Sequence, residues 1–412
     1  MDDPPDKRLR ILLVTHYFAP DGGAAAVRLT RLAQALVARG HRVTVLCPMP
    51  HYPQGRIRAD YRGVWTRQEM LDGVRVVRAW HWATPSRSIA LRLISQVSFM
   101  LMAALRGLAL SRPDVLLIEN QPVFTALAGW WLSKVKRRPY VVNVSDYWPE
   151  YLVAVGVTHE QSLIYRTFKA LVNLTQRQAS AIIALLPDIL TSIQGRIGPH
   201  PNAHVIMNAT DLSRFRPDVE TANFRAQHGL GQAKLVTFAG TLGNHIDLDT
   251  MLKAAAHFVQ RPDVLFLFLG TGIHRDALQG QALPNLRWVD WVDHADMPAA
   301  WAASHLTFWA VHDNATNRIS LQSKVYEAMA SGTPLVVAVE GVISQLLARS
   351  GAGETVPFGD AEALAQAIAS YLDQPTKRDR ASQAARAYAE QHFNFETVVT
   401  RYEAVLRSVA EA

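Results

Sequence analysis

Cysteine is almost absent. Cys47 is the one cysteine in 412 residues, so no intrachain disulfide can form and no thiolate set is available for a metal. That usage fits a reducing cytoplasm. Long apolar runs are lacking too. Around residue 100 the longest charge-free stretch, Leu93 to Leu105, lies between Arg92 and Arg106 and has 13 residues, short of the roughly 20 that span a bilayer. Met1 to Arg10 is polar and the apolar run Ile11 to Thr15 is too short for a signal sequence, so none is expected. No Asp-x-Asp pair stands in a loop, so no metal is expected. No nucleic-acid motif appears, so no nucleic-acid partner is expected. The first glycine loop is not G-x-G-x-x-G, so NAD is not inferred.

What is present is a globular composition, 49% hydrophobic and 19% charged, over a length that exceeds one ordinary core and predicts two domains. The net charge of +7 is unevenly spread: residues 1–210 carry 25 Lys/Arg against 13 Asp/Glu, a balance of +12, and the remainder 17 against 22, a balance of −5. A basic first half faces something anionic, and an anionic leaflet or a diphosphate-bearing acceptor explains it equally well.

The most informative stretch runs from Ser320 to Ala338. Lys324 and Glu327 fall on a helical pattern that Ser331-Gly332-Thr333-Pro334 terminates. Leu335 to Ala338 then reads as a strand buried on both faces. A helix bearing a cation and an anion thus turns tightly into a core strand. Glu-Ala-Met-Ala-Ser-Gly-Thr-Pro-Leu-Val resembles the donor-nucleotide signature of glycosyltransferase family 4, retaining sugar transferases of the GT-B fold. The resemblance implies that Glu327 holds the ribose hydroxyls of a nucleotide-sugar, a task suited to a carboxylate that accepts two hydrogen bonds. A solvated Glu on an ordinary amphipathic helix is the plainer alternative.

The first half reads as a parallel α/β domain. Arg10 to His16 is a strand, Tyr17 to Gly23 a loop, Ala24 to Ala38 a helix and Val43 to Cys47 a second strand. Gly22 and Gly23 expose backbone N–H groups where the helix begins, and the loop is similar to the family's acceptor-side loop near the donor diphosphate. Met49 to Tyr61 resembles a loop of the subgroup that transfers fucosamine-type sugars in bacterial surface polysaccharide assembly; a basic surface loop explains it equally well. Val74 to Ala79 is a strand. The helical pattern with Leu91, Ile94, Val97, Met100, Leu101, Ala104 and Leu108 reads as core. A membrane-resting face, with Arg78, Trp80, Trp82, Arg87 and Arg92 nearby, is the sharper reading. Asp114 to Ile118 is a buried strand followed by Asn120, where the family often has a histidine that contacts the transferred sugar. Tyr140 to Val144 is a strand leading to Asp146-Tyr147-Trp148-Pro149-Glu150, similar to an acidic, aromatic stretch of the fucosamine-type subgroup. Asp146 and Glu150 are sugar or acceptor candidates, and helix capping is an equal reading for Asp146. Ala181 to Leu185 and Val205 to Asn208 read as further strands.

Ala209 to Pro217 resembles the family's interdomain crossing, giving a boundary at 208/209. The expected domains are 1–208 for the acceptor, 209–393 for the donor, and a last helix over 394–412 crossing back. In the second domain, Leu235 to Ala239 is a strand before Gly240-Thr241-Leu242-Gly243-Asn244, which the family uses for the donor diphosphate. The family's usual Arg and Lys downstream are missing, His245 being the sole candidate there, so Lys324 is assigned to the diphosphate. Gly270 ends the strand Val264 to Leu269. Trp291 and Val292 resemble the segment that reads the base, and Ser323 pairs in sequence with Lys324 as in the fucosamine-type subgroup. The family's first glutamate is replaced by Ile319.

These readings predict two Rossmann-like α/β domains facing across a cleft. The implied function is transfer of a hexose from a UDP- or GDP-linked donor to an acceptor hydroxyl, in bacterial surface polysaccharide or glycolipid assembly. In a retaining mechanism the leaving phosphate can take the acceptor's proton; Lys324 and Asp146 are the catalytic candidates. The nucleotide-sugar is a substrate, and no cofactor is expected. The partners are a sugar or lipid-linked acceptor and an anionic membrane surface, at the cytoplasmic side. A natural-product glycosyltransferase, a nucleotide-sugar epimerase of the same fold and a non-catalytic binding protein remain alternatives.

Overall fold

The computed structural model describes residues 8–86, 88–154, 158–290 and 292–412. The chain divides into two compact units. One extends to Asn208 and takes in Val398–Ala412; the other is Ala209–Thr397.

The first unit is built on strands β1 (Arg10–Val14), β2 (Arg42–Pro48), β3 (Thr66–Leu71), β4 (Val74–Ala79), β5 (Val115–Glu119), β6 (Tyr140–Val144), β7 (Ala181–Ala184) and β8 (Ala203–Val205). Between them lie helices α1 (Ala24–Ala38), α2 (Ile89–Leu108), α3 (Val123–Lys136), α4 (Glu150–Ala154), α5 (Leu163–Arg177) and α6 (Pro187–Ile197). The sheet order is β3-β4-β2-β1-β5-β6-β7-β8, parallel except for the hairpin β3–β4. The central strands read as unbroken apolar runs because helices cover both faces; in β1, Ile11 to Val14 are all buried. Right-handed crossovers place α2, α3 and α5, which lead successively from β4 to β7, on one face. The connection β1–α1–β2 runs the opposite way along the sheet and puts α1 on the other face.

Three expectations change here. Strand β3 was unforeseen, although Asp72-Gly73, with φ of 46° and 80°, is the type of dipeptide that closes a two-residue hairpin. The last strand is Ala203–Val205 and not Val205 to Asn208: after Ile206 N donates to Ala184 O at 3.0 Å, the chain leaves the sheet. The third change concerns α2, which is not a leucine-lined core helix. Its buried row is Ser95, Phe99, Ala103 and Gly107. Gly107 meets Leu132 of α3 so closely that a Cβ would overlap that side chain. Close approach through small residues turns the leucines outward: Leu101 is 55% and Leu105 63% exposed.

The second unit has strands β9 (Lys234–Ala239), β10 (Val264–Leu269), β11 (Leu286–Val289), β12 (Leu306–Ala310), β13 (Leu335–Ala338) and β14 (Gly353–Val356). Its helices are α7 (Ala222–Gln227), α8 (Leu248–Ala256), α9 (Arg275–Gln279), α10 (Met297–Ala303), α11 (Ala315–Ile319), α12 (Ser323–Ala330), α13 (Val342–Ser350), α14 (Ala361–Asp373) and α15 (Pro375–His392). The sheet is parallel, ordered β11-β10-β9-β12-β13-β14. The order reverses between β9 and β12, the kind of switch point at which α/β sheets bind ligands. Its core is aromatic, with Phe238, Phe266, Phe268, Phe308, Trp301 and Trp309 all fully buried. Helix α16 (Phe395–Glu411) lies, from Val398, in the first unit. There Glu403 binds Arg39 at 2.9 Å and His41 at 2.9 Å.

Candidate active site

In the second unit the carboxyl ends of β9, β10 and β12 and the start of α12 meet around Lys324. Ser323 is the first residue of α12 and is exposed; Lys324 follows and is only 8% exposed. Its Nζ lies 4.2 Å from the centre of the Phe238 ring and 4.4 Å from that of Trp309. The ring faces attract the cation but replace only part of its hydration. Burial pushes the amine down to about 7. Among the described residues no carboxylate pairs with it.

The Gly240 loop closes over this amine. A Cβ on Gly240 would stand 3.7 Å from Lys324 Nζ. The loop is laced to the one after β10: Gly240 N donates to Leu269 O at 2.9 Å and Leu242 N to Thr271 O at 3.0 Å. Gly270, with φ of 132°, packs where a Cβ would collide with the Gly240 carbonyl oxygen. Its glycine is therefore required by loop-to-loop packing. Thr241 and Asn244 are exposed at the loop's tip, and Gly243 is half-buried. A Cβ on Gly243 would stand 3.0 Å from His245 Nδ1. His245 is itself held below the ordinary histidine value by burial, then by Lys324, His274 and His312. Imidazoles and an amine thus converge, and a bound anion would satisfy them. The pair Asp247 and Asp249 does not join them: Asp247 caps α8, its carboxylate accepting from Thr250 N at 3.2 Å and from Thr250 Oγ1 at 2.6 Å.

Glu327 faces another way. It accepts from His294 Nε2 at 3.3 Å and Trp301 Nε1 at 3.3 Å, so a Lys324–Glu327 salt bridge is not formed. Val292 is half-buried beyond β11; Trp291 lies outside the described residues. Ile319 ends α11, where the neighbouring Arg318 binds Asp313 and Glu340 at 2.8 and 2.5 Å.

The first unit gathers a second set at the carboxyl edge of its sheet. Gly23, with φ of 92°, is the N-cap of α1, and Gly22 precedes it with nothing within 4 Å of a would-be Cβ. Asn120 is fully buried after β5. Its backbone N donates to Asn143 O at 2.9 Å, while both side-chain polar atoms lack a partner. Such atoms are costly to bury unsatisfied and suit a ligand hydroxyl or water. Asp146 has its carboxyl pushed above the usual range by burial and by Glu119, with Arg28 opposing. It stands four residues ahead of α4, outside that helix's cap. Glu150 opens α4 and is drawn to Arg196, 2.9 Å away.

Two residues escaped the sequence reading. Arg28 of α1 donates to Glu119 Oε2 at 3.0 Å and Ser145 Oγ at 2.6 Å. Burial opposes its charge, yet Glu119, Tyr402 and Asp146 hold its pKa above the ordinary value. Glu119 also accepts from Ser145 Oγ and, at 2.6 Å, from Asn143 Nδ2. An acid ending the otherwise apolar strand β5 was the available signal. Arg78, expected near a membrane face, is fully buried. It donates to Glu69 at 2.5 Å and to Ala19 O, because it ties the loop after β1 to the hairpin.

Comparison with known proteins agrees with this geometry. Residues 23–209 match the glycosyl transferase 4-like domain and residues 233–374 the glycosyl transferases group 1 domain. A GDP-mannose-dependent alpha-mannosyltransferase of Mycobacterium tuberculosis (strain CDC 1551 / Oshkosh) is 25% identical over 86% of this chain and 85% of its own. WcaI of Escherichia coli (strain K12), named for colanic acid biosynthesis, is 21% identical over 96% of this chain and 98% of its own. The crystal structure of Anabaena Alr3699/HepE in complex with UDP superposes with a TM-score of 0.70 at 18% identity, covering 97% of this chain and 100% of that one. Fold and site together define a GT-B glycosyltransferase that works from a nucleotide-sugar donor. More particularly, its first half carries the glycosyl transferase 4-like domain and its second half matches the glycosyl transferases group 1 model, the make-up of a GT4-like glycosyltransferase.

Proposed function

We propose that this enzyme transfers a hexose, with retention, from a UDP-sugar to a lipid-linked saccharide acceptor in bacterial surface polysaccharide or glycolipid assembly. The buried, unpaired amine of Lys324 under the Gly240 loop carries this reading. A diphosphate gains negative charge as the glycosidic bond breaks, and Lys324 with the loop's N–H groups stabilises it. Glu327 accepts the ribose hydroxyls, displacing the long contacts from His294 and Trp301. The leaving phosphate takes the acceptor's proton. Asn120 and Asp146 bind sugar hydroxyls. Asp146-Tyr147-Trp148-Pro149-Glu150 supports an acceptor or sugar of the fucosamine-type subgroup, and WcaI's name supports surface polysaccharide.

Two variants test it. Lys324→Met is expected to lower single-turnover rates by about 10²–10³ while melting no lower than wild type, since an unpaired buried charge is removed. Glu327→Ala is expected to weaken UDP or GDP binding by about 1–3 kcal/mol. Near-native turnover of folded Lys324→Met, or unchanged dissociation constants for both nucleotides in Glu327→Ala, overturns the corresponding assignment.

A further inference from the structure

Helix α2 is long and apolar enough to cross a membrane by length and composition, yet only 17% of its most apolar window is buried. It stays outside the core because its small-residue row is what packs on α3. Ile94, Leu101, Leu105 and Leu108 are exposed at spacings that put them along one stripe of the helix. The neighbouring α3 adds exposed Trp131 and Val135. Helix α5, packed on α3, begins with Leu163 and Ile164, 79% and 52% exposed. Ser162 fixes that first turn by accepting from Tyr165 N at 3.1 Å. Exposed apolar residues spread over three helices packed side by side mark an interaction face.

Charge selects the occupant. Every charged side chain on α2, α3 and α5 is a Lys or Arg. Lys134, Arg166 and Arg177 are exposed, and Trp130 and Trp131 sit beside Lys134. An apolar stripe with aromatic rings and cations, and no acid on any of the three helices, matches the interface of an anionic bilayer. A second copy of this chain would set like charge against like.

We infer that the face formed by α2, α3 and the start of α5 docks on an anionic phospholipid surface, lying in the interface without crossing it. The inference rests on the lipid-linked acceptor reading only for its purpose. Helices α2, α3 and α5 all begin at the carboxyl edge of the sheet, where Asn120 and Asp146 lie. Leu163 and Ile164, which open α5, are the part of this face nearest that edge.

Sedimentation of the whole chain with phosphatidylcholine vesicles, with and without phosphatidylglycerol, tests the docking. Binding is expected only with the anionic lipid and is expected to weaken in high salt. Leu101→Ser/Leu105→Ser should lower the partition coefficient by about tenfold or more. Its melting temperature and its turnover with a water-soluble acceptor should stay at wild-type level. Lys134→Gln should reduce binding to anionic vesicles with the same stability. No binding by wild type, or undiminished binding by the double-serine variant, overturns the proposal. So does a wild-type dimer in sedimentation velocity that the same variant dissolves. Vesicle binding without sugar transfer to any lipid-linked acceptor leaves the docking standing and removes the acceptor reading.

Discussion

Lys324 shows how a residue can be named from sequence and its chemistry decided elsewhere. Its place before Glu327 was visible; its loss of solvent was not. With its amine pushed down to about 7 by burial, the free protein is in mid-titration at neutral pH. On the proposed assignment, a diphosphate bound beside Lys324 would stabilise the ammonium and raise that pKa. Nucleotide affinity should therefore be greatest below pH 7 and fall as pH rises from 7 towards the raised value in the complex. Calorimetry near pH 8, in buffers of different ionisation enthalpy, should show net uptake approaching one proton, lost in Lys324→Met. At that pH the diphosphate itself is already ionised. Affinity that is flat over about pH 7–9, with no proton uptake, would show that the amine does not meet the phosphates. Arg78 is the converse: a cation that looked like surface and is core. Nothing in a run such as Val-Arg-Val-Val-Arg-Ala says that Arg78 finds Glu69 and the Ala19 carbonyl, contacts that a hairpin and a distant loop create.

At the level of elements, periodicity located most helices and strands, and β4, β6, β10 and β13 begin and end where it placed them. It could not rank faces. Apolar residues occupy more than one side of α2, and the buried side was chosen by Phe99, Ala103 and Gly107, with Gly107 admitting Leu132. The Gly240 and Gly270 loops are likewise a pair only in space. Gly270→Ala drives a methyl into the Gly240 carbonyl oxygen and asks a side chain to adopt φ of 132°. It is expected to destabilise the second unit by about 1–3 kcal/mol and to weaken UDP binding by moving the Gly240 loop. Gly22→Ala, which meets nothing within 4 Å, serves as the stability control. Urea midpoints and UDP titrations of both variants decide it; a Gly270→Ala protein as stable and as tight-binding as wild type would show that the loops are not coupled.

On the scale of the whole molecule, several histidines are buried without charge. His16, His51 and His81 cluster at the carboxyl edge of the first sheet, the rings of His51 and His81 4.4 Å apart between centres. Burial holds His16 well below the ordinary value, with the two neighbours adding to it. Burial likewise depresses His51, against the pull of Asp21, and takes His81 to about 3. In the unfolded chain these rings titrate near 6.5. Above that pH they contribute no pH dependence. Below it the unfolded state binds more protons, so stability falls until the folded values are reached. His81 alone should cost about 2 kcal/mol at pH 5 relative to pH 7.5. Neither of its ring nitrogens has a hydrogen-bond partner, so His81→Leu should keep its stability at pH 7.5 and lose less on acidification. Denaturation midpoints at the two pH values measure this; equal acid losses in wild type and variant would place the sensitivity elsewhere.

The sequence by itself determined the class of the molecule. Two series of alternating strands and helices, glycine loops after the first strand of each, and the Ser320 to Ala338 stretch specify parallel sheets with ligand loops at their carboxyl edges. Such patterns are local, and burial on both faces writes them directly into apolar runs. Tertiary structure decided which polar groups lose water. Lys324 became an amine with a depressed pKa between two rings, Asn120 a side-chain amide with nothing to bond, and Arg28 and Glu119 a pair largely withdrawn from solvent. It also decided that the leucines of α2 face outward. Each of these outcomes depends on what lies across the fold from a residue, and neighbours distant in the chain leave no periodicity behind.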